Sequence, residues 1–239
     1  MTFAAVSLLA AMTSANAVAT VLNSKSATSA ANYAEALEMV EKEAGEGKPL
    51  QQFVIGVITD DKKLSARYLD AARDKILKLA EKTDNPIAWY LLSMEKNDIT
   101  MLVRAADGGN VQALNALGTV ITQQALSLDR SDTNAVERLL KRSYGYFSKA
   151  AEARDPNGFI NLGTCYLRGL GCPQDMSMAF TCFKAAADAG HPEGMDNMSA
   201  CYQFGHGVEK NGELSLYWAM RGRAARGDKA AAKWLKDRK

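Results

Sequence analysis

The feature that most constrains this chain is an internal repeat of 36 residues near its C-terminal end. When the sequence is shifted by 36 positions, residues 155–174 align with residues 191–210, and seven positions are identical. Random overlap of two such windows gives about one identity, so the match indicates a duplicated structural unit. A unit of this length has to bury its apolar face against neighbouring copies. The identical pairs are Pro156/Pro192, Gly158/Gly194, Asn161/Asn197, Cys165/Cys201, Tyr166/Tyr202, Gly169/Gly205 and Gly171/Gly207.

Each copy has the pattern of two helices joined by a tight turn. Asp155 and His191 stand at a helix N-cap position, and each is followed by proline, whose missing N–H costs nothing at the first helical position. The repeated glycines then permit the left-handed backbone of a turn. Apolar residues at spacings of three and four predict second helices over Met176–Ala189 and Glu213–Arg226. Because no segment alternates with the period of a strand, the sequence predicts an all-α fold.

Weaker copies of the pattern occur upstream. Capping residues or prolines open predicted helices over Leu50–Ile58, Ile87–Met94 and Val111–Ile121. One interior position of every first helix holds a small residue, which lets paired helices approach closely and offsets the propensity cost of glycine, ~1 kcal/mol. The intervals between these residues are 37, 25, 45 and 36, and the longest predicts an insertion near Leu126–Thr133. The small residues are Gly56, Ser93, Gly118, Gly163 and Ser199.

These features predict a single helical-repeat domain over residues 32–239, with repeats that start near residues 49, 86, 111, 156 and 192. Residues 228–239 form a C-terminal capping helix, and residues 32–44 cap the other end. Residues 1–17 contain the apolar run Phe3–Met12 and an A-x-A cleavage site, which suggests a signal peptide, although no Lys or Arg precedes the run. The alternative is an ordinary alanine-rich helix. Residues 18–31 have the composition of a linker. We therefore expect an exported protein, periplasmic or secreted, if residues 1–17 are a signal peptide, and a cytoplasmic one otherwise.

The best-preserved copy resembles the Sel-one-like repeat family, a branch of the tetratricopeptide superfamily. The resemblance is carried by Asn161–Tyr166, the Gly169-Leu170-Gly171 turn, Asp175, Ala179 and Phe183–Ala186. It is close over residues 156–239 and weaker upstream, where the copies lack the G-x-G turn. The resemblance implies a right-handed α-solenoid of antiparallel helix pairs, which the family uses mainly to hold other proteins together.

Composition and motifs favour no particular chemistry. With 29 Lys and Arg against 27 Asp and Glu, the near-balanced charge gives no reason to expect nucleic acid or an anionic membrane surface as a partner. The two histidines, His191 and His206, match no zinc motif, and we expect both in solvent-exposed structural roles. We recognise no catalytic constellation and expect no cofactor, no metal and no integral membrane span.

The cysteines leave two interpretations open. Cys165, Cys172, Cys182 and Cys201 fall at positions that the repeat buries, which favours free thiols. In an exported protein the same four residues can form up to two disulfides. Some members of the family staple each helix pair in this way, but Phe159 stands where one of those cysteines would be expected, so that framework does not transfer.

A partner surface is predicted by resemblance to the tetratricopeptide pattern, in which first helices line a concave groove. The predicted surface residues are first-helix positions on either side of the small crossing residue. They are polar, mixed in charge and rich in amides, which suits an extended peptide or a protein loop. The alternative is that they are simply solvated helix faces. They are Tyr90, Gln112, Asn115, Thr119, Gln123, Asn157, Thr164, Arg168, Glu193, Asp196 and Gln203.

The sequence thus favours a non-catalytic scaffold or adaptor, a monomer that binds another protein or a peptide. One alternative is a cell-wall-associated enzyme or a protein that binds peptidoglycan or another glycan. A third is a chaperone or adaptor for a neighbouring secreted protein.

Overall fold

The computed structural model describes residues 40, 42, 44, 48–58, 61–129 and 132–238. The predicted signal peptide at 1–17, the linker at 18–31 and most of the predicted cap at 32–44 lie outside the described residues. All regular structure in the described residues is helical, so the all-α prediction is confirmed. These residues divide into two compact units, with the boundary between Asn110 and Val111.

Two helix pairs are described in the first unit. Helix α1 packs on α2 and α3 packs on α4, while α3 also contacts both helices of the first pair. Phe53, Ile76 and Leu91 are fully buried between them. Asp61 caps α2 by accepting two backbone N–H groups. The helices are α1 (Pro49–Ile58), α2 (Lys62–Thr83), α3 (Pro86–Lys96) and α4 (Ile99–Asp107).

The described residues of the second unit form three helix pairs and a final single helix. Each pair stacks on the next, because α6 contacts α7 and α8 contacts α9. The first helices of successive pairs also contact one another. This is the arrangement of an α-solenoid. The helices are α5 (Val111–Ser127), α6 (Thr133–Glu152), α7 (Pro156–Arg168), α8 (Met176–Asp188), α9 (Pro192–Phe204), α10 (Gly212–Ala225) and α11 (Lys229–Lys236).

The small crossing residues lie where paired helices approach most closely. A Cβ atom added to Gly118 would lie 2.5 Å from the Phe147 ring, and one added to Gly163 would lie 2.7 Å from the Phe183 ring. The prediction of close helix crossing is therefore confirmed at these positions. The α9–α10 pair tolerates the larger Ser199 at the crossing position, because α10 has the small Ala219 where α8 has Phe183.

The second glycine of each turn is fixed by a different contact. Gly171 has φ +76°, and a Cβ atom there would lie 2.2 Å from the carbonyl oxygen of Leu140 on the preceding second helix. Gly207 has φ +71° and would meet the carbonyl oxygen of Met176 at 2.1 Å. Both the backbone conformation and the lack of space therefore require glycine.

The insertion lengthens two helices. Helix α5 runs on to Ser127, well past Gly118, whereas α7 ends at Arg168, soon after Gly163. Helix α6 has 20 residues, but its counterparts α8 and α10 have 13 and 14. The α5–α6 pair therefore projects beyond the α7–α8 pair at the end where the turns lie.

Tyr166 and Tyr202 occupy the same repeat position, and both are only half-buried. The Tyr166 ring packs edge to face on Tyr144, with centroids 5.9 Å apart, and Tyr202 packs in the same way on Phe180 at 5.7 Å. Each tyrosine lies at the border between two successive pairs, where part of its ring remains in contact with solvent.

Candidate partner-binding surface

The predicted surface residues of the second unit form rows across its first helices. Because α5, α7 and α9 contact in succession, equivalent positions on them lie side by side. One row consists of Gln112, Asn157 and Glu193 near the helix N-termini. A row towards the C-terminal ends of α5 and α7 contains Gln123 and Arg168, and both side chains are exposed.

Asn115 has a structural role between the first two pairs. Its side-chain Nδ2 donates a hydrogen bond of 2.8 Å to Oδ2 of Asp155, the residue that caps α7. Its Oδ1 accepts a hydrogen bond of 3.0 Å from Nδ2 of Asn161. The same Asp155 oxygen accepts the backbone N–H of Gly158 at 2.9 Å. Asn115 thus ties α5 to the start of the next first helix.

The next pair repeats this device with a histidine cap. Nδ1 of His191 accepts the backbone N–H of Glu193 at 3.2 Å, which caps α9. The hydrogen of the neutral ring therefore lies on Nε2, which donates to Oδ1 of Asn157 at 3.1 Å. Asn157 ties α7 to the start of α9 just as Asn115 ties α5 to α7.

The prediction that His191 is solvent-exposed is wrong, since only 2% of its surface is accessible. Burial, together with the nearby positive charge of Arg226, lowers the pKa of His191 to about 4. The ring is therefore neutral at physiological pH. The physical reason for burial is that an N-cap between two stacked pairs is covered by the preceding first helix. His206 is half-buried and lies against the ring of Phe204.

The other predicted residues occupy varied environments. Asp196 pairs with Arg226, which follows α10. Thr119 and Thr164 donate their hydroxyl hydrogens to carbonyl groups of their own helices at 2.9 Å. Gln112 is half-buried, while Glu193 and Gln203 are exposed. Tyr90 is buried with 9% of its surface accessible, and it belongs to the first unit.

Phe204 is an exposed aromatic residue of the second unit that the sequence interpretation missed. Its side chain is 54% exposed at the end of α9. The 36-residue shift aligns it with Arg168, and the α5 counterpart is Gln123. The signal was therefore present in the repeat alignment. We call Gln123, Arg168 and Phe204 the end row, and its arginine and aromatic ring are residue types enriched at protein interfaces.

The cysteines are unsuited to nucleophilic chemistry. All four are free thiols in the structure, and Cys172 is the one that is only half-buried. Burial raises the pKa of Cys165 to about 12 and that of Cys182 and Cys201 to about 11. Because the thiolate is the reactive form, these groups are held in their unreactive state at neutral pH.

No group of three or more His, Cys, Asp or Glu side chains among the described residues is placed to hold a metal ion. None of their helices has both the length and the apolar character needed to cross a bilayer.

The fold and this surface define an α-helical repeat protein. The Sel1 repeat family matches residues 112–155, 160–191 and 192–219. These three segments match the family that the sequence resemblance named, and together they cover less than half of the chain. Sel1 repeat proteins are generally interaction scaffolds without catalytic activity.

Solved structures with similarity to the chain include two of this class. A Sel1 repeat protein from Oxalobacter formigenes shares 24% identity with a TM-score of 0.45, covering 53% of this chain and 90% of that one. A protective antigen of uropathogenic Escherichia coli with an SLR fold shares 19% identity with a TM-score of 0.38, covering 84% of this chain. The match spans about half of that antigen, 53% of its length. No curated protein shows significant similarity to the chain.

Proposed function

We propose that this protein is a non-catalytic scaffold that binds a peptide or protein segment across the first helices of its second unit. The observation that carries the proposal is the end row, in which three successive first helices each present one exposed side chain. An amide, a guanidinium group and an aromatic ring on successive first helices suit an extended segment that is held by hydrogen bonds and one apolar contact.

The hydrogen bonds between pairs support the same proposal. Asn115 and Asn157 each link one first helix to the capping residue of the next. These links fix the spacing of the first helices before a partner arrives. A surface that is ordered in advance loses less entropy on binding, and this raises affinity.

A capture experiment with a charge-reversed variant tests the proposal. The full chain and the variant Arg168→Glu/Glu193→Lys are used as baits in cell-envelope and cytosolic extracts. The matched control is Lys184→Glu/Asp188→Lys, which likewise reverses one positive and one negative charge, at an exposed ion pair on α8, a second helix. We expect a partner that binds the wild type and the control and is lost from the variant. Equal capture by all three baits, or capture by none, would overturn the proposal.

The alternative of a cell-wall enzyme or glycan-binding protein is decided by a separate assay. If the purified chain releases fragments from isolated cell walls, or is retained on them, the alternative replaces the scaffold proposal.

Export is a further part of our proposal, and it is supported by the apolar run and A-x-A site within residues 1–17. Mass measurement of the protein recovered from envelope fractions tests it, because cleavage removes those residues.

A further inference from the structure

An apolar pocket lies where the α5–α6 pair projects beyond the α7–α8 pair. Its volume is about 660 Å³, within the range of sites that bind ligands or partner side chains. The rim carries Glu137 and Lys141, which form an ion pair at 2.6 Å on α6. We call it the tip pocket, and its apolar lining comes from Leu126, Leu128, Val136, Leu140, Cys172 and Pro173.

The pocket follows from the register between successive pairs. Gly207 packs on Met176, the first residue of α8, so that turn closes over the helix end. Gly171 instead packs on Leu140, and α6 begins seven residues earlier, at Thr133. The first two turns of α6 therefore extend roughly 10 Å beyond the turn of the next pair.

The projecting segment is apolar on the side of the next pair. Val136 and Leu140 lie one helical turn apart, on the same face of α6. One turn further on, the same face carries Tyr144, whose hydroxyl lies 2.9 Å from that of Tyr166 on α7. The tip pocket thus continues an interface that α6 already makes with a helix. Opposite it, Leu126 at the end of α5 is 62% exposed.

We propose that the tip pocket receives one amphipathic helix of a partner protein. This inference rests on the proposed scaffold function and adds a second, separate contact to it. A partner helix would occupy the position that an equally long α7–α8 pair would fill, with apolar residues at spacings of three and four against Val136 and Leu126. The Glu137–Lys141 pair offers both signs of charge to the polar flank of that helix.

Two displayed peptide libraries test the inference on the full chain. One has a helix-forming frame of alanine, glutamate and lysine, roughly 18 residues long, with its apolar face randomised. The other has randomised segments between prolines, which keep the peptide extended. Binders are measured against Leu126→Glu and Val136→Glu. The control is Val120→Glu, since Val120 is 39% exposed on α5 and does not line the pocket.

We expect binders from the helical library whose Kd rises at least ~10-fold in both pocket variants and by less than about twofold in the control. Thermal melting confirms that each variant is folded. The inference is overturned if the pocket variants weaken the binding of extended peptides only, if they weaken the binding of no peptide, or if neither library yields a binder. If substitution of Arg168 and Glu193 abolishes capture of a partner but substitution of Leu126 does not, the scaffold proposal remains intact.

Discussion

The side-chain amide of Asn115 donates a hydrogen bond of 2.8 Å to the carboxylate of Asp155, the residue that caps the next first helix. Asn157 and His191 form the same link one pair further on, at 3.1 Å. A capping residue sets the start and direction of its helix. Helices α7 and α9 are therefore each positioned by a polar side chain of the preceding first helix, as well as by apolar packing.

We predict that Asn115→Ala destabilises the protein by about 1–2 kcal/mol, because Asp155 and Asn161 both lose a partner in a half-buried site. Urea denaturation monitored by circular dichroism measures the change. The control is Gln123→Ala on the same helix, where the side chain is exposed and the expected change is within about 0.5 kcal/mol. Equal effects of the two substitutions would show that the amide links contribute nothing to stability.

Three glycine substitutions separate backbone strain from lack of space. Gly207→Ala should cost more than about 3 kcal/mol, because φ is +71° and the new Cβ would lie 2.1 Å from a carbonyl oxygen. Gly190→Ala should cost about 1 kcal/mol, since φ is +86° but no atom lies within 4 Å of the added Cβ. Gly145 lies in the middle of α6, and no atom lies within 4 Å of a Cβ atom added there, so Gly145→Ala should stabilise the protein by up to about 1 kcal/mol. Chemical denaturation of the three variants gives the order, and a Gly207 variant as stable as the Gly190 variant would contradict it.

Stability should fall as the pH falls from about 6.5 to about 4. His191 has a pKa of about 4 in the folded protein and about 6.5 when unfolded, so the unfolded state binds more protons in this window. The loss attributable to His191 is on the order of 1–3 kcal/mol and is complete below the folded pKa.

The matched variant for this pH dependence is His191→Asn, which retains a capping side chain but does not titrate. Its unfolding free energy should change less than that of the wild type between pH 7 and pH 4.5. Parallel pH profiles for the two proteins would mean that His191 is protonated in the folded state as readily as in the unfolded one.

The hydroxyl groups of Tyr144 and Tyr166 lie 2.9 Å apart, and the hydrogen bond between them should contribute about 1 kcal/mol to the free energy of unfolding. A double-mutant cycle with Tyr144→Phe and Tyr166→Phe measures this coupling. The next pair provides the control, because Tyr202 packs on the ring of Phe180, which has no hydroxyl. Tyr202→Phe should therefore cost less than Tyr166→Phe, and a zero coupling energy in the cycle would contradict the contact.

Local signals predicted most of the helical framework. Proline after a capping residue fixed the start of α7 and α9, and the small crossing residues correctly marked where helices meet. These signals are local because capping and backbone conformation depend on neighbours in the sequence. The starts of α1, α3 and α5 were likewise predicted to within one residue.

The environments of single side chains could not be predicted in the same way. Whether His191 is exposed depends on how closely the preceding first helix approaches, and the sequence of one repeat does not contain that distance. The same holds for Asn115 and Asn157, which the sequence marked as surface residues and which the structure uses between pairs. The insertion was located correctly, but only the structure shows that it lengthens helices and leaves an apolar pocket.

The most direct test of the scaffold proposal is site-specific photo-crosslinking in cells. A photoreactive phenylalanine analogue replaces Gln123 or Gln203, which are exposed on first helices, or Lys184, which is exposed on the second helix α8. We predict that both first-helix positions crosslink to the same discrete protein and that position 184 does not. Equal crosslinking from position 184, or no protein adduct from positions 123 and 203, would contradict the proposal that this face binds a partner.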